Sequence, residues 1–240
     1  MGSLNMSREV RDVIGEQPAL HRTAAHAQCV KCQSFLTPQD DVNVSALVGG
    51  NSVAVYFGHA ACMRSTVTQG QGELQPVDQM HMSALLLRHN GNHRPVLVGE
   101  LSTPMSGQDG SGVWFDAHKR YLSQEGFASV TSLADVAPVL PGYRGNLRYR
   151  APGQPDGNTD ELLVISPDGP FYEGTIRTSP SWLAAVRAQR QCTLYMGLVG
   201  LRISDPDSVT EHRRLREAAA DGTLQAIQLP LAMAGAAFFG

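Results

Sequence analysis

Lysine is nearly missing from this chain. Lys31 and Lys119 are the only two among nineteen basic residues, a skew toward arginine that fits a GC-rich coding genome and carries no mechanism. Cysteine is also scarce. Four in 240 residues are too few for a disulfide framework, and three of them fall in a metal-like pattern, so a reducing compartment, the cytoplasm, is expected. There is no excess of positive charge: the formal net charge is -3, residues 1–139 hold nine basic and twelve acidic groups, and residues 140–240 hold ten of each. That balance excludes a basic arm and wholesale attraction to nucleic acid or anionic lipid. Long apolar runs are lacking as well. The longest, Leu229 to Phe239, is interrupted by Pro230 and is about half of the ~20 residues that a membrane-spanning helix needs. It is expected to dock on a core. Arg8, Glu9, Arg11 and Asp12 break up the N-terminal stretch where a secretory leader would be apolar.

What the chain does have is core material. With 42% hydrophobic and 17% charged residues, it has ample apolar side chains for packed domains. Residues 7–16 have the pattern of a short helix. Residues 68–78, TQGQGELQPVD, have the Gly, Pro and Gln content of a linker. The expected division is an N-terminal segment 1–20, a small module 21–67, the linker 68–78 and a larger domain 79–240.

The small module carries the one strong motif. Cys29-Val30-Lys31-Cys32 is followed after 26 residues by His59-Ala60-Ala61-Cys62. Zinc takes four thiolate or imidazole ligands in a tetrahedron, and two pairs each separated by two residues can close that shell. Between the pairs, residues 41–48 and 52–57 read as strands around Gly49-Gly50-Asn51, a hairpin turn. Residues 59–67 are predicted to turn helical, with His59 and Cys62 on one face. A Cys-x-x-Cys redox pair competes, but no thioredoxin-like strand and helix surround Cys32. His21 or His26 could replace His59, whose spacing to Cys62 is the better fit.

In its order of knuckle, hairpin and helix, the segment 26–67 resembles the treble-clef group of zinc fingers, with Cys29 and Cys32 in the knuckle and His59 and Cys62 in the helix position. The resemblance covers about a sixth of the chain. It implies a structural zinc ion and names a fold group with many roles.

In the larger domain, residues 83–88 and 95–101 flank Asn90-Gly91-Asn92 and predict a hairpin. Residues 102–112 read as an exposed Gly- and Ser-rich loop, and 117–124 as a short helix. Residues 162–166 and 193–199 look like buried strands. Ser179 and Pro180 open one helix, with Trp182, Leu183 and Val186 on its buried face. Asp205 and Pro206 open another that stops at Gly222. Strands separated by loops, with helices at irregular intervals, predict an α+β fold: a treble-clef-like zinc module followed by a mixed α+β domain.

Two other clusters are candidates. His81, His89, His93, Asp116 and His118 could form a second, open metal site. Tyr143, Arg144, Arg148, Tyr149 and Arg150 combine guanidinium groups and aromatic rings, which suit phosphates and bases; a solvated edge strand is the plainer reading. A four-ligand shell leaves no position for a catalytic water. The expectation is therefore a non-enzymatic binding or regulatory protein with a macromolecular partner, either protein or nucleic acid. The rival is an enzyme, hydrolytic in character, with its site in residues 79–240 and Asp116 and His118 in it.

Overall fold

The computed structural model describes residues 2–15, 19–24, 27–37, 39–71, 80–89, 92–101, 105–108, 114–149, 160–201 and 209–235. In chain order the elements are β1 Leu4–Asn5, α1 Arg8–Ile14, α2 Ala19–Ala24, β2 Val42–Gly49, β3 Ser52–His59, β4 Val67–Gln69, β5 Met80–His89, β6 Asn92–Leu101, β7 Met105–Gln108, β8 Trp114–Asp116 and α3 Ala117–Gln124. They continue with β9 Ala128–Val130, β10 Arg144–Tyr149, β11 Asp160–Ser166, β12 Gly169–Ile176, α4 Pro180–Gln189, β13 Gln191–Met196, α5 Val209–Ala220 and β14 Leu224–Gly235. The chain divides into two compact units, Met1–Gln79 with Leu101–Leu122, and Met80–Glu100 with Ser123–Gly240.

The α+β expectation is overturned. Of the described residues 47% are in strands and 22% in helices, and the strands form two curled half-barrel sheets. The physical reason lies in strands that carry no strong local signal. Residues 105–108 sit inside the expected exposed loop 102–112, yet β7 pairs antiparallel with β3 and β8. Gly107 lets the ring of Phe115 lie across it, since a Cβ there would be 2.5 Å from the ring.

The first unit is built on a sheet in the order β1-β2-β3-β7-β8, with β4 also pairing β2. Alternation on β2 puts Val42, Val44 and Ala46 inward, where they meet Val53, Val55 and Phe57 of β3. The two strands are joined through Gly50 and Asn51, between the paired residues Gly49 and Ser52. Gly50 has φ +56°, the left-handed value a two-residue hairpin requires. Helix α1 is capped by the Ser7 hydroxyl, which accepts from Val10 N at 3.2 Å. It lays Val10 and Ile14, one turn apart, onto that core.

In the second unit the order is β12-β11-β10-β14-β13-β6-β5, with β9 pairing β14. Its edge strands β12 and β5 approach each other, so the sheet curls. Strands β5 and β6 are neighbours, as the hairpin pattern predicts; Asn90 and Gly91 of its turn lie outside the described residues. One core joins Leu85, Val96, Val98, Tyr195 and Leu224 with Leu215, Ala218 and Ala219 of α5. Ser179 caps α4 by accepting from Trp182 N, with Pro180 in the first position, and Trp182 is fully buried, its Nε1 donating to Val96 O at 3.1 Å. The apolar run from Leu229 lies in β14 as far as Gly235, and the rest of it is outside the described residues. This strand pairs β13 through 225–230 and β10 through 231–235, so Pro230 falls at the changeover, where a missing donor is tolerated. The expected helix start at Asp205 and Pro206 and most of the expected linker 68–78 lie outside the described residues. No helix among the described residues is long and apolar enough to cross a membrane.

Candidate metal centre

Residues 27–36 form a tight knuckle. Gln28 and Phe35 bridge, Leu36 N donates to Ala27 O at 2.9 Å, Cys29 N to Ser34 O at 2.9 Å and Gln33 N to Cys29 O at 2.8 Å. The reversal is completed by Gln33 with φ +59°, a conformation that non-glycine residues seldom adopt. The knuckle is held to the sheet by Val30 N donating to Phe57 O at 3.1 Å. That bond carries Cys29 and Cys32 to the end of β3, where His59 lies. The chain then turns through one reverse turn, with Cys62 N and Met63 N both donating to His59 O, and brings Cys62 back.

The donor atoms of Cys29, Cys32, His59 and Cys62 all lie within 4.8 Å of one another. His59 Nδ1 is 3.4 Å from Cys32 Sγ and 3.9 Å from Cys62 Sγ. A tetrahedron with Zn–S of about 2.3 Å and Zn–N of about 2.05 Å has donor–donor edges of about 3.6 to 3.8 Å; the two His59–sulfur distances bracket these, and a donor pair at the 4.8 Å limit would close by about 1 Å around an ion. Cys29 is buried, whereas Cys32 and Cys62 are exposed. Gly58 leaves room for the site: a Cβ there would lie 2.7 Å from Met63 Cγ and 3.3 Å from Cys29 Sγ.

The electrostatics favour a cation. Burial works to raise the Cys29 thiol, but the backbone N–H groups of Cys32, Lys31 and His59 outweigh it and hold it down at about 6. Cys32 is lowered by the backbone and hydroxyl of Ser34. Cys62 is pushed up to about 11 by burial and by the two sulfurs beside it. Three thiolates at this distance repel, and a divalent ion removes that repulsion while releasing the remaining protons. His59 is raised, chiefly by its hydrogen bond with Cys29. Its far nitrogen, Nε2, lies 3.6 Å from Asp40 Oδ2.

The helix predicted over 59–67 does not form beyond the single turn at His59, so the treble-clef order of knuckle, hairpin and helix is not completed; what the structure bears out is a Cys3His cluster compatible with a zinc-finger-like site. After the turn, residues 63–66 run along β2. Asn43 Nδ2 donates to Met63 O at 2.8 Å, Ser45 Oγ to Arg64 O at 2.7 Å and Ser65 Oγ to Val44 O at 2.5 Å. The carbonyls that would accept helical bonds are taken by side chains of the neighbouring strand, and the segment continues into β4, parallel to β2.

The alternative ligands are not gathered. His21 is exposed in α2, and His26 lies outside the described residues. Nor is a second group of three or more ligands brought together among the described residues. Asp116 Oδ1 accepts from Lys119 N at 2.8 Å, the bond of a helix cap at the start of α3. His118 is lowered by burial, against the pull of the Asp116 charge. His81 and His93 are exposed on β5 and β6, and the side chain of His89 lies outside the described residues.

The Arg/Tyr segment is β10, and it lies between β14 and β11 rather than at an edge. Tyr143 is buried, packed edge-on to Phe127 and Phe171, with its hydroxyl 3.3 Å from Glu125 Oε2. Arg144 is exposed, Arg148 pairs with Glu161 at 3.6 Å, and the guanidinium of Arg187 lies 4.8 Å over the ring of Tyr149. Arg150 lies outside the described residues.

Comparison with protein-family models, with curated proteins and with solved structures finds no match to this chain.

Proposed function

We propose that this chain is a zinc-stabilised binding protein, non-enzymatic and regulatory in character, whose partner is a macromolecule. The observation that carries the reading is the closed donor set: three cysteines and one histidine within 4.8 Å of one another. Four protein ligands complete a tetrahedron and leave no position for a substrate or an activated water. When bound, the ion supplies a crosslink between the knuckle and the end of β3. The hydrolytic alternative has less support, because the Asp116 carboxylate is engaged in capping α3.

Elemental analysis tests the metal: about one zinc per chain is expected, and a fully folded preparation without metal would count heavily against it. For the partner, Arg144 and Arg148 on β10 are the residues to probe for nucleic acid. Binding that weakens steeply with salt and weakens further on R144A and R148A supports a nucleic-acid partner. Binding that ignores salt, or none, points to a protein instead.

A further inference from the structure

We infer that Asp40 is a positioning residue for the zinc site, holding the His59 ring by its Nε2 edge so that Nδ1 faces the three sulfurs. The inference rests on the metal reading above and adds a residue outside the ligand set.

Its basis is geometric. Val42 is paired with His59 across β2 and β3, and Ala60 N donates to Asp41 O at 2.8 Å, extending the pairing one step beyond the strand. That register brings residue 40 beside the imidazole. The carboxylate is not free to swing away: its Oδ2 accepts from Thr37 N at 2.7 Å and from Thr37 Oγ1 at 2.8 Å, and Asp40 N donates to Thr37 O at 3.0 Å. The same oxygen lies 3.6 Å from His59 Nε2, with both side chains partly shielded from solvent.

An imidazole that binds a metal through Nδ1 carries its proton on Nε2, and that N–H is normally directed at a carboxylate, a carbonyl or water, which fixes the tautomer and the ring plane. Here the sulfurs lie along one edge of the ring and a clamped carboxylate along the other. No signal in the local sequence marks Asp40 as different from its neighbour; only the strand register does.

Asp41 is a natural control. Its Oδ1 likewise accepts from a backbone N–H and a hydroxyl, both of Ser3 and both at 2.8 Å, so it is a turn carboxylate of the same kind with a different address. The test is zinc affinity of the full chain, read by competition with a chromogenic chelator, together with the visible absorption of the cobalt-loaded protein. D40N is expected to weaken zinc binding by about 10- to 100-fold and to shift the cobalt band, the range seen when the outer partner of a metal-bound histidine is lost. D40E should recover part of the loss, and D41N should change neither readout. If D40N binds zinc as the parent does, or if D41N weakens it equally, the inference is overturned while the zinc reading stands. If the parent itself takes up no zinc, the zinc reading fails first. Should D40N not fold, T37V removes one of the two clamps on the carboxylate: a smaller loss of affinity supports the inference, and unchanged affinity overturns it.

Discussion

The knuckle end of the first unit and the core of the second are held by different means. Around Cys29 the knuckle buries one large apolar side chain, Leu36, while Val30 is 45% exposed and Phe35 37%, and the reversal depends on a few backbone bonds and on Gln33 in a left-handed conformation. The second unit stacks Trp182 and Val186 of α4, and Leu215, Ala218 and Ala219 of α5, against strands whose inward side chains are nearly all buried. A segment with so little apolar area cannot offset the entropy of ordering itself. A crosslinking ion can. On the proposed reading, metal and apolar burial would be local substitutes, each serving the part of the chain where the other is scarce.

The largest effect that could break this comparison is removal of the metal. C32S or C62S, or a strong chelator, should abolish zinc binding and unfold the knuckle with the end of β3. Zinc contributes about 10–16 kcal/mol to small fingers that have no other core. Here the cost should be smaller, because α1 and the β2–β3 hairpin keep a core of their own around Val10, Ile14, Val44 and Phe57. Calorimetry with and without chelator reads the outcome: the transition of the first unit falls and that of the second stays. A single transition that moves as a whole would refute the division of labour. The converse is W182A. Deleting a fully buried indole should cost about 3–5 kcal/mol and lower the second transition, with zinc content unchanged.

A third effect sharpens the contrast through pH. Glu100 is buried, and its carboxylate accepts from the backbone N–H of Val199 at 2.7 Å, of Gly200, and of Leu201 at 3.0 Å. Burial nevertheless holds its carboxyl above the usual range, against those three donors and aided by the nearby charge of Glu211. The folded chain therefore keeps the Glu100 proton to higher pH than the unfolded chain does. Stability of the second unit should fall as pH rises from the ordinary glutamate value to the raised one, and level off above it. E100Q should remove that slope and cost about 1–3 kcal/mol at neutral pH, since an amide cannot satisfy three donors. Denaturant midpoints followed by Trp fluorescence across acid pH would show whether the slope belongs to Glu100.

Much of this was legible in the sequence where the signal is local. The ligand spacing, a short helix near residues 7–16, the Ser179 start of α4 and the β2–β3 turn around Gly50 each depend on a few neighbouring residues. The signal failed where a distant partner decides the outcome. Residues 63–66 have a pattern compatible with helix, yet Asn43 and Ser45 of β2 claim their carbonyls. Met105–Gln108 reads as a loop until the ring of Phe115 covers Gly107. Tyr143 reads as part of an exposed basic patch until Phe127 and Phe171 surround it. Asp40 was missed for the same reason, since its meaning comes from the pairing of Val42 with His59.

The smallest predicted effect uses a matched pair. Gln33 in the knuckle (φ +59°) and Arg190 after α4 (φ +54°) are the non-glycine residues with left-handed backbone among the described residues. Both are locked by backbone bonds: Gln33 N donates to Cys29 O at 2.8 Å, and Arg190 N donates to Val186 O at 2.7 Å. Glycine relieves the clash of Cβ with its own backbone, a gain of about 1 kcal/mol, partly offset by the greater freedom of glycine in the unfolded chain. Q33G should therefore raise the first transition slightly and R190G the second, by about 0.5–1 kcal/mol each. The gain from Q33G should be visible only when zinc is bound, because without the ion the knuckle has no fixed conformation for glycine to relax. R190G, sitting at the end of a helix with a buried face, should show its gain with or without chelator. If Q33G stabilises the metal-free protein equally, the knuckle holds its shape without the ion, and zinc is a passenger there instead of the crosslink.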